Sequence, residues 1–288
     1  MLIHPYTLDE LEFAWCYRIY LRWRTHRLHP QPCLSQLTLT TLNAIAAKFH
    51  IHVLESTAGE TDVLLLLSLT PHESVSACAS KLKGQITKWL RERLRLARPA
   101  NLLSRGYFAT TTGKSTSEAV EQYLSGQGEH HGYANRARPP LFLRRFEWAA
   151  AAEERVQAKH NRSLLQHHIV LATWRRKGVF GQPAGEAVAQ RWRAVLTESQ
   201  AALLKVSFVP DHVHLALRVH PAVSPAELIV RLMNESQELM WNRFADSVIR
   251  AGVERLWQPT VYLGSYGDLA SPQIRRYIQD WEDEIRAD

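Results

Sequence analysis

Cysteine is scarce in this chain. Only Cys16, Cys33 and Cys78 occur in 288 residues. No two stand at a metal-ligand spacing or form part of a disulfide framework, so a cystine-built scaffold and a cysteine-ligated zinc module are both excluded. Three such thiols fit a reducing compartment. The opening Met1-Leu2-Ile3-His4-Pro5 also lacks the basic and then apolar segments of a secretory signal, so a cytoplasmic location is expected. Long apolar runs are missing as well. The longest, such as 63–67, are far too short to span a bilayer, and no membrane partner is expected. Acidic residues are outnumbered, 28 Asp and Glu against 35 Lys and Arg, for a formal net charge of +7. That excess suits an acidic polymer such as nucleic acid without demanding one. The 45% of apolar residues permits a sizeable core in one large domain or two ordinary ones.

The most informative stretch is 206–217, Val-Ser-Phe-Val-Pro-Asp-His-Val-His-Leu-Ala-Leu. It reads as strand, tight turn at Pro210-Asp211, and strand. Alternation places His212 and His214 on one face and Val213 and Leu215 on the other. Two imidazoles side by side on a strand can hold one metal ion, although a bare His-x-His is as readily a half-exposed strand face.

The chain also repeats itself. Shifted by 150 residues, Tyr17-Arg18-Ile19-Tyr20-Leu21 falls on His167-His168-Ile169-Val170-Leu171, and 61–67 falls on 211–217. Pro71 falls on Pro221, and Lys81-Leu82 on Arg231-Leu232. Constant spacing over that length points to two copies of one unit. Each copy reads as a strand (17–23; 168–174), a helix (38–49; 185–200), and a strand pair (50–55 with 62–69; 203–209 with 212–219). A longer helix then opens at a serine cap, Ser74 or Ser224. A glycine-bearing loop follows (105–107; 263–267), then a last helix (117–125; 271–285). This order predicts an α+β fold of two antiparallel sheets covered by helices. The expected divisions are 1–127, a linker with a connecting helix over 128–163, and 164–288.

The setting Pro-Asp-His-Val-His-Leu closely resembles the metal-binding strand of the HUH nucleases, specifically the single-tyrosine transposases of the insertion-sequence and REP-associated type. The glycine-tyrosine-phenylalanine run at 106–108 and the helix carrying Tyr123 resemble the same family, as does Arg275-Arg276-Tyr277. The resemblance implies two ferredoxin-like HUH units fused as a pseudo-dimer. It implies a tyrosine nucleophile on the last helix, and a glutamine four residues later that joins the histidines around a divalent ion, Mg²⁺ or Mn²⁺. Residues i and i+4 share a helical face, which is why that spacing can serve one site. The first copy keeps Tyr123 and Gln127 but has Asp62 and Leu64 where the histidines are expected. The second keeps His212 and His214 but has Trp281 four residues after Tyr277.

Family members dimerise with the tyrosine helix docked on the partner, which implies a crossed site here: Tyr123 and Gln127 with His212 and His214. The rival is Tyr277 in cis, with Asp280, Glu284 or Gln273 replacing the glutamine. The implied activity is nicking and joining of single-stranded or hairpin DNA through a 5′-phosphotyrosine. A further homodimer of the fused chain is compatible with that. The alternative is a non-catalytic DNA- or RNA-binding protein or regulator descended from such an enzyme. Arg175, Arg176, Lys177, Arg275 and Arg276 are expected to contact DNA, and Lys81 and Lys83 to form a phosphate strip or a solvated face. His50, His52, His72, His167, His168 and His220 are expected to be structural. His130 and His131 are expected to be solvated. Trp15, Trp23, Trp174, Trp192, Trp241 and Trp257 are expected to pack in cores or at sheet edges.

Overall fold

The computed structural model of the chain describes residues 4–95, 101–113, 116–125, 142–147 and 150–267. Its front half runs β1 (Glu12–Cys16), β2 (Arg18–Arg24), α1 (Leu39–Ala46), β3 (His52–Ala58), β4 (Asp62–Ser68), α2 (Val75–Arg93), β5 (Phe108–Thr112) and α3 (Ser117–Ser125). Between the halves lie β6 (Phe142–Arg145), α4 (Ala150–Val156) and β7 (Arg162–Leu164). The back half runs β8 (Gln166–Thr173), α5 (Gln182–Glu198), β9 (Ala201–Val209), β10 (His212–Val219), α6 (Pro225–Arg243), α7 (Ala245–Ala251) and β11 (Trp257–Tyr266).

Local chemistry accounts for most of these elements. In β2, Ile19, Leu21 and Trp23 alternate into the core, and Ile169 and Leu171 do the same in β8. The hydroxyls of Ser74 and Ser224 accept hydrogen bonds from the backbone N–H of Ala77 and Glu227 and so cap α2 and α6. Each such cap is worth about 1 kcal/mol. Trp23, Trp192 and Trp257 are fully buried, as expected, whereas Trp15 is 48% exposed on an edge strand. All three cysteines are free thiols. Among the described residues no helix is long and apolar enough to cross a membrane.

The predicted α+β class holds, with two sheets ordered β3-β4-β2-β5-β7 and β1-β11-β8-β10-β9-β6. The halves interlock in a way the sequence did not suggest. β1, from the front half, pairs in parallel with β11 of the back sheet, and β7 pairs in parallel with β5 of the front sheet. Each copy thus lends its leading strand to the other. Where the sheets meet, Arg18 N–H donates to Ser265 Oγ (2.8 Å), and Ser265 Oγ–H donates to the Thr112 carbonyl (2.6 Å). In the mirrored position Gln166 N–H donates to Thr111 Oγ1 (2.9 Å), which donates to the Tyr266 carbonyl (2.8 Å). Reciprocal contacts of this kind are the mark of a two-fold interface, here inside one chain.

Three expectations need correction. Residues 263–267 were expected to form a glycine loop, but 263–266 are the end of β11, because Leu263 supplies a core-facing residue and the run pairs with β8. The segment 128–163 is more than a linker, since β6 and β7 within it each extend a sheet. The opening strands are related by 148 residues, not 150. Arg22 faces Leu64, while Val170, not Ala172, faces His214. The left-handed pair Arg27 and Leu28 likewise recurs as Arg175 and Arg176. Hydrogen-bond register, which apolar pattern alone does not reveal, sets this offset.

His167 lies at the seam, edge-on to Tyr17 with 5.0 Å between ring centroids. Neither ring nitrogen has a hydrogen-bond partner among the described residues. Burial pushes its pKa from 6.5 down to about 4. The unfolded chain therefore takes up this proton near pH 6.5 and the folded chain only near pH 4. The stability that depends on the neutral ring is complete above that window and is lost as pH falls through it. Replacing His167 by Phe removes the penalty. In urea unfolding the variant should gain about 2 kcal/mol over the parent at pH 5 relative to their difference at pH 8. An unchanged difference between the two pH values would show that this ring is not a source of acid lability.

Candidate active site

The strand β10 places His212 and His214 on one face and buries Val213 and Leu215 on the other, as alternation predicts. The histidine face is not solvent-facing. It is covered by α3 from the front half. Val120 and Leu124 of α3 pack with Ala216 of β10 and Tyr266 of β11, and Leu204 closes the edge of the cluster. Lys205 on β9 donates to Ser125 Oγ at 2.7 Å and fixes the end of the same helix. A nine-residue helix is marginal in water by itself. Docking on the back sheet is what makes it persist.

Docked there, Tyr123 meets the imidazoles. Its ring centroid lies 5.3 Å from that of His214 and 6.1 Å from that of His168. His212 and His214 are 5.0 Å apart by the same measure. A cleft of about 660 Å³ opens over these side chains, walled by Ala119 and Val120 of α3, by Val170, by Tyr262 and by Arg176. Tyr262 was not anticipated as a site residue. Its phenol is pushed above its ordinary pKa by burial, then by Cys16 and Tyr123.

His168 also departs from expectation. It was read as structural, yet it lines this cleft. On β8 it sits diagonally from His214, which faces Val170 in the strand register. Its Nε2 lies 3.0 Å from His214 Nδ1, and the planes of the two rings are within 16° of each other. Burial pushes the His168 pKa down to about 4, so the ring is neutral at pH 7. The available signal was its place next to a buried-strand pattern, but the strand offset had to be known before it could be set beside His214.

Charge enters the cleft along one chain of contacts. The Arg176 guanidinium pairs with one oxygen of Asp211 at 2.9 Å, and His212 Nδ1 bonds the other at 2.7 Å. Burial acts to raise the Asp211 carboxyl pKa, but the hydrogen bond from His212 and the nearby Arg176 outweigh it and hold it below the usual range. Arg175 and Arg176 both adopt left-handed backbone, φ 53° and 56°. Such a conformation costs a non-glycine residue of order 1 kcal/mol or more. Thr173 Oγ1–H offsets part of it by bonding the Lys177 carbonyl at 2.6 Å. The turn projects Arg176 to the cleft rim, while Arg175 and Lys177 are exposed beside it.

The remaining predicted residues divide. Lys81 is paired with Glu73 at 2.6 Å and lies over Phe49, in a separate cleft with Phe13 and Trp15. Lys83 donates to the Arg105 carbonyl at 3.4 Å, and burial together with Arg105 lowers its pKa. Neither lysine lines the histidine cleft. Gln127, Arg275, Arg276 and Tyr277 lie outside the described residues. In the front half, Asp62 is bound to Arg22 at 2.7 Å, and Leu64 has no donor atom, so the counterpart of the histidine pair offers no ligand set.

The donor chemistry fits a divalent ion in part. Nδ1 of each strand histidine is hydrogen-bonded, that of His212 to Asp211 and that of His214 to His168, and a ring that donates from Nδ1 coordinates through Nε2. Imidazoles suit Mn²⁺ at least as well as Mg²⁺. Among the described residues no group of three or more His, Cys, Asp and Glu is arranged to hold an ion.

Comparison with known proteins bears on the family. The family profile described as "Transposase IS200 like" matches residues 16–127 and again 161–281. Transposases for insertion sequence element IS200 from Salmonella typhimurium strain LT2 and from Salmonella typhi are each 24% identical over 121 residues, covering 42% of this chain and 78% of theirs. A solved structure of a candidate transposase from Deinococcus radiodurans R1 is 23% identical, with a TM-score of 0.34, and covers 41% of this chain and 90% of that one.

The seating of α3 can be tested directly. Leu124→Ala removes a fully buried side chain from beneath the helix, a loss of about 2–5 kcal/mol for such a truncation. Amide exchange across 117–125 should accelerate by a hundredfold or more, on the order of that energy, with β8 to β10 still protected. Unchanged exchange in 117–125 would mean that the helix is held by something other than this packing.

Proposed function

The chain belongs to the IS200-like transposase family in both of its halves, and from that premise we propose that it nicks and rejoins single-stranded DNA at one composite site, with Tyr123 as nucleophile. The observation that carries this reading is the approach of Tyr123, on a front-half helix, to within 5.3 Å of the His214 ring on the back-half sheet. A tyrosine in that position can serve one site with the histidines of the other half.

The Tyr123 hydroxyl attacks a phosphodiester phosphorus. The Oη–P bond forms, the bond from phosphorus to the 3′ oxygen breaks, and the leaving oxygen takes a proton as the tyrosyl proton passes to solvent. The product is a 5′-phosphotyrosine and a free 3′-hydroxyl, which can attack in reverse to join strands. His212 and His214 would hold a divalent ion, Mg²⁺ or Mn²⁺, with the Gln127 amide oxygen as the third protein ligand. When bound, that ion neutralises charge on the non-bridging phosphate oxygens. Arg176 stands at the cleft rim with Arg175 and Lys177 beside it, and these three would hold the DNA backbone on either side of the attacked phosphate. The substrate in this reading is single-stranded DNA in hairpin-forming contexts, as the family resemblance implies. One such site per chain allows two chains to act together on two DNA ends.

Single-stranded oligonucleotides copied from inverted repeats flanking the gene, incubated with Mn²⁺ and run on denaturing gels, test the proposal. The parent should form a covalent protein–DNA adduct. Tyr123→Phe should lower it by on the order of a thousandfold or more, while Tyr277→Phe leaves it intact. Full nicking by Tyr123→Phe, with loss in Tyr277→Phe, would transfer the role to the cis tyrosine. Tight binding by the parent with no adduct at all would make the protein a DNA-binding regulator instead.

A further inference from the structure

His168 does not belong to the pair that the motif 210–215 announces, yet it is in direct polar contact with His214. Its Nε2 stands 3.0 Å from His214 Nδ1. Two imidazole nitrogens at that distance must share one hydrogen, so one ring donates and the other accepts. The choice has a chemical consequence. If His214 donates from Nδ1, its lone pair is on Nε2, and that nitrogen can bind a cation. If His214 accepts at Nδ1, its hydrogen is on Nε2, and the ring cannot ligate from there.

The neighbouring histidine sets the precedent. His212 Nδ1 lies 2.7 Å from a carboxylate oxygen of Asp211, which can only accept while ionised. His212 therefore donates from Nδ1 and carries its lone pair on Nε2. At His214 the Nδ1 contact is with the His168 ring. We propose that His168 is a positioning residue for the metal centre: it accepts the Nδ1 hydrogen of His214 and so fixes the ring and the tautomer that present Nε2 to the ion. The strand geometry supports the assignment. His168 faces Ala216 and His214 faces Val170, so the two rings reach each other diagonally across the β8–β10 pair, their planes within 16°, and neither can turn far without breaking the hydrogen bond between them. Tyr123 and Tyr262 border the same ring at 6.1 Å and 5.8 Å, which further limits its rotation. One strand histidine is thus oriented by an anion and the other by a neutral heterocycle, which keeps added negative charge away from the place where a phosphate must enter.

This inference rests on the reading of His212 and His214 as the metal ligands, and the test separates the two. Long-range ¹H–¹⁵N correlation spectra of the metal-free protein report each imidazole tautomer without any substitution in the site. The expected result is His214 protonated on Nδ1 and His168 protonated on Nδ1 with a bare Nε2. His214 protonated on Nε2 would overturn the proposal. Mn²⁺ titration by calorimetry gives a second readout. His168→Leu should weaken Mn²⁺ binding by about 10- to 100-fold, and His168→Gln, whose amide oxygen can accept the same hydrogen, should recover most of it. Equal loss in both variants, or no loss in either, would reduce His168 to packing. Failure of the parent protein to bind Mn²⁺, or retention of binding in His212→Ala, would instead strike at the underlying ligand assignment.

Discussion

The candidate site of this molecule depends on the seating of one short helix. α3 leaves the front half and lays Val120 and Leu124 on the apolar patch formed by Ala216 and Tyr266 of the back half. Nothing in nine residues of helix would hold that shape alone. The contact therefore does two jobs: it stabilises the helix, and it delivers Tyr123 to His214. Burial of non-polar surface is undirected, so the precise placement comes from the polar bond between Lys205 and Ser125 and from the aromatic contacts around Tyr123.

The crossing of α3 is one instance of a wider exchange. β1 and β7 change sides in the same reciprocal manner, and the hydrogen bonds of Ser265 and Thr111 repeat one another across the seam. The backbone is nearly two-fold, whereas the side chains are not. In the front half Asp62 is tied to Arg22, and Leu64 stands where a ligand would be needed. In the back half the same strand positions carry two oriented imidazoles. A fused pair can lose one site in this way without losing its fold, because the exchanged strands need the other half's backbone and not its histidines.

Within the candidate site, the histidines are oriented by their polar neighbours. Arg176, Asp211 and His212 form one continuous line of contacts, and His168 and His214 form another. The left-handed turn at Arg175 and Arg176 is an unfavourable local choice. Its recurrence at Arg27 and Leu28, in the half whose strand carries Asp62 and Leu64, shows that the turn belongs to the repeated fold.

The sequence by itself determined the class of each unit, the duplication, the capped helices and the face on which His212 and His214 lie. These follow from local rules: alternation along a strand, periodicity along a helix, and hydroxyls at helix starts. It also held Tyr123 as a candidate, through spacing and family likeness. Only the tertiary structure decided that α3 covers the histidine strand, that β1 and β7 trade sheets, and that the two opening strands are offset by 148 residues. Those facts depend on which backbone hydrogen bonds form between segments far apart in the chain, and one-dimensional pattern carries no record of partner or register. His168 shows the difference most clearly. Its own neighbours mark it as one more strand residue, and only the fold sets its nitrogen 3.0 Å from another imidazole.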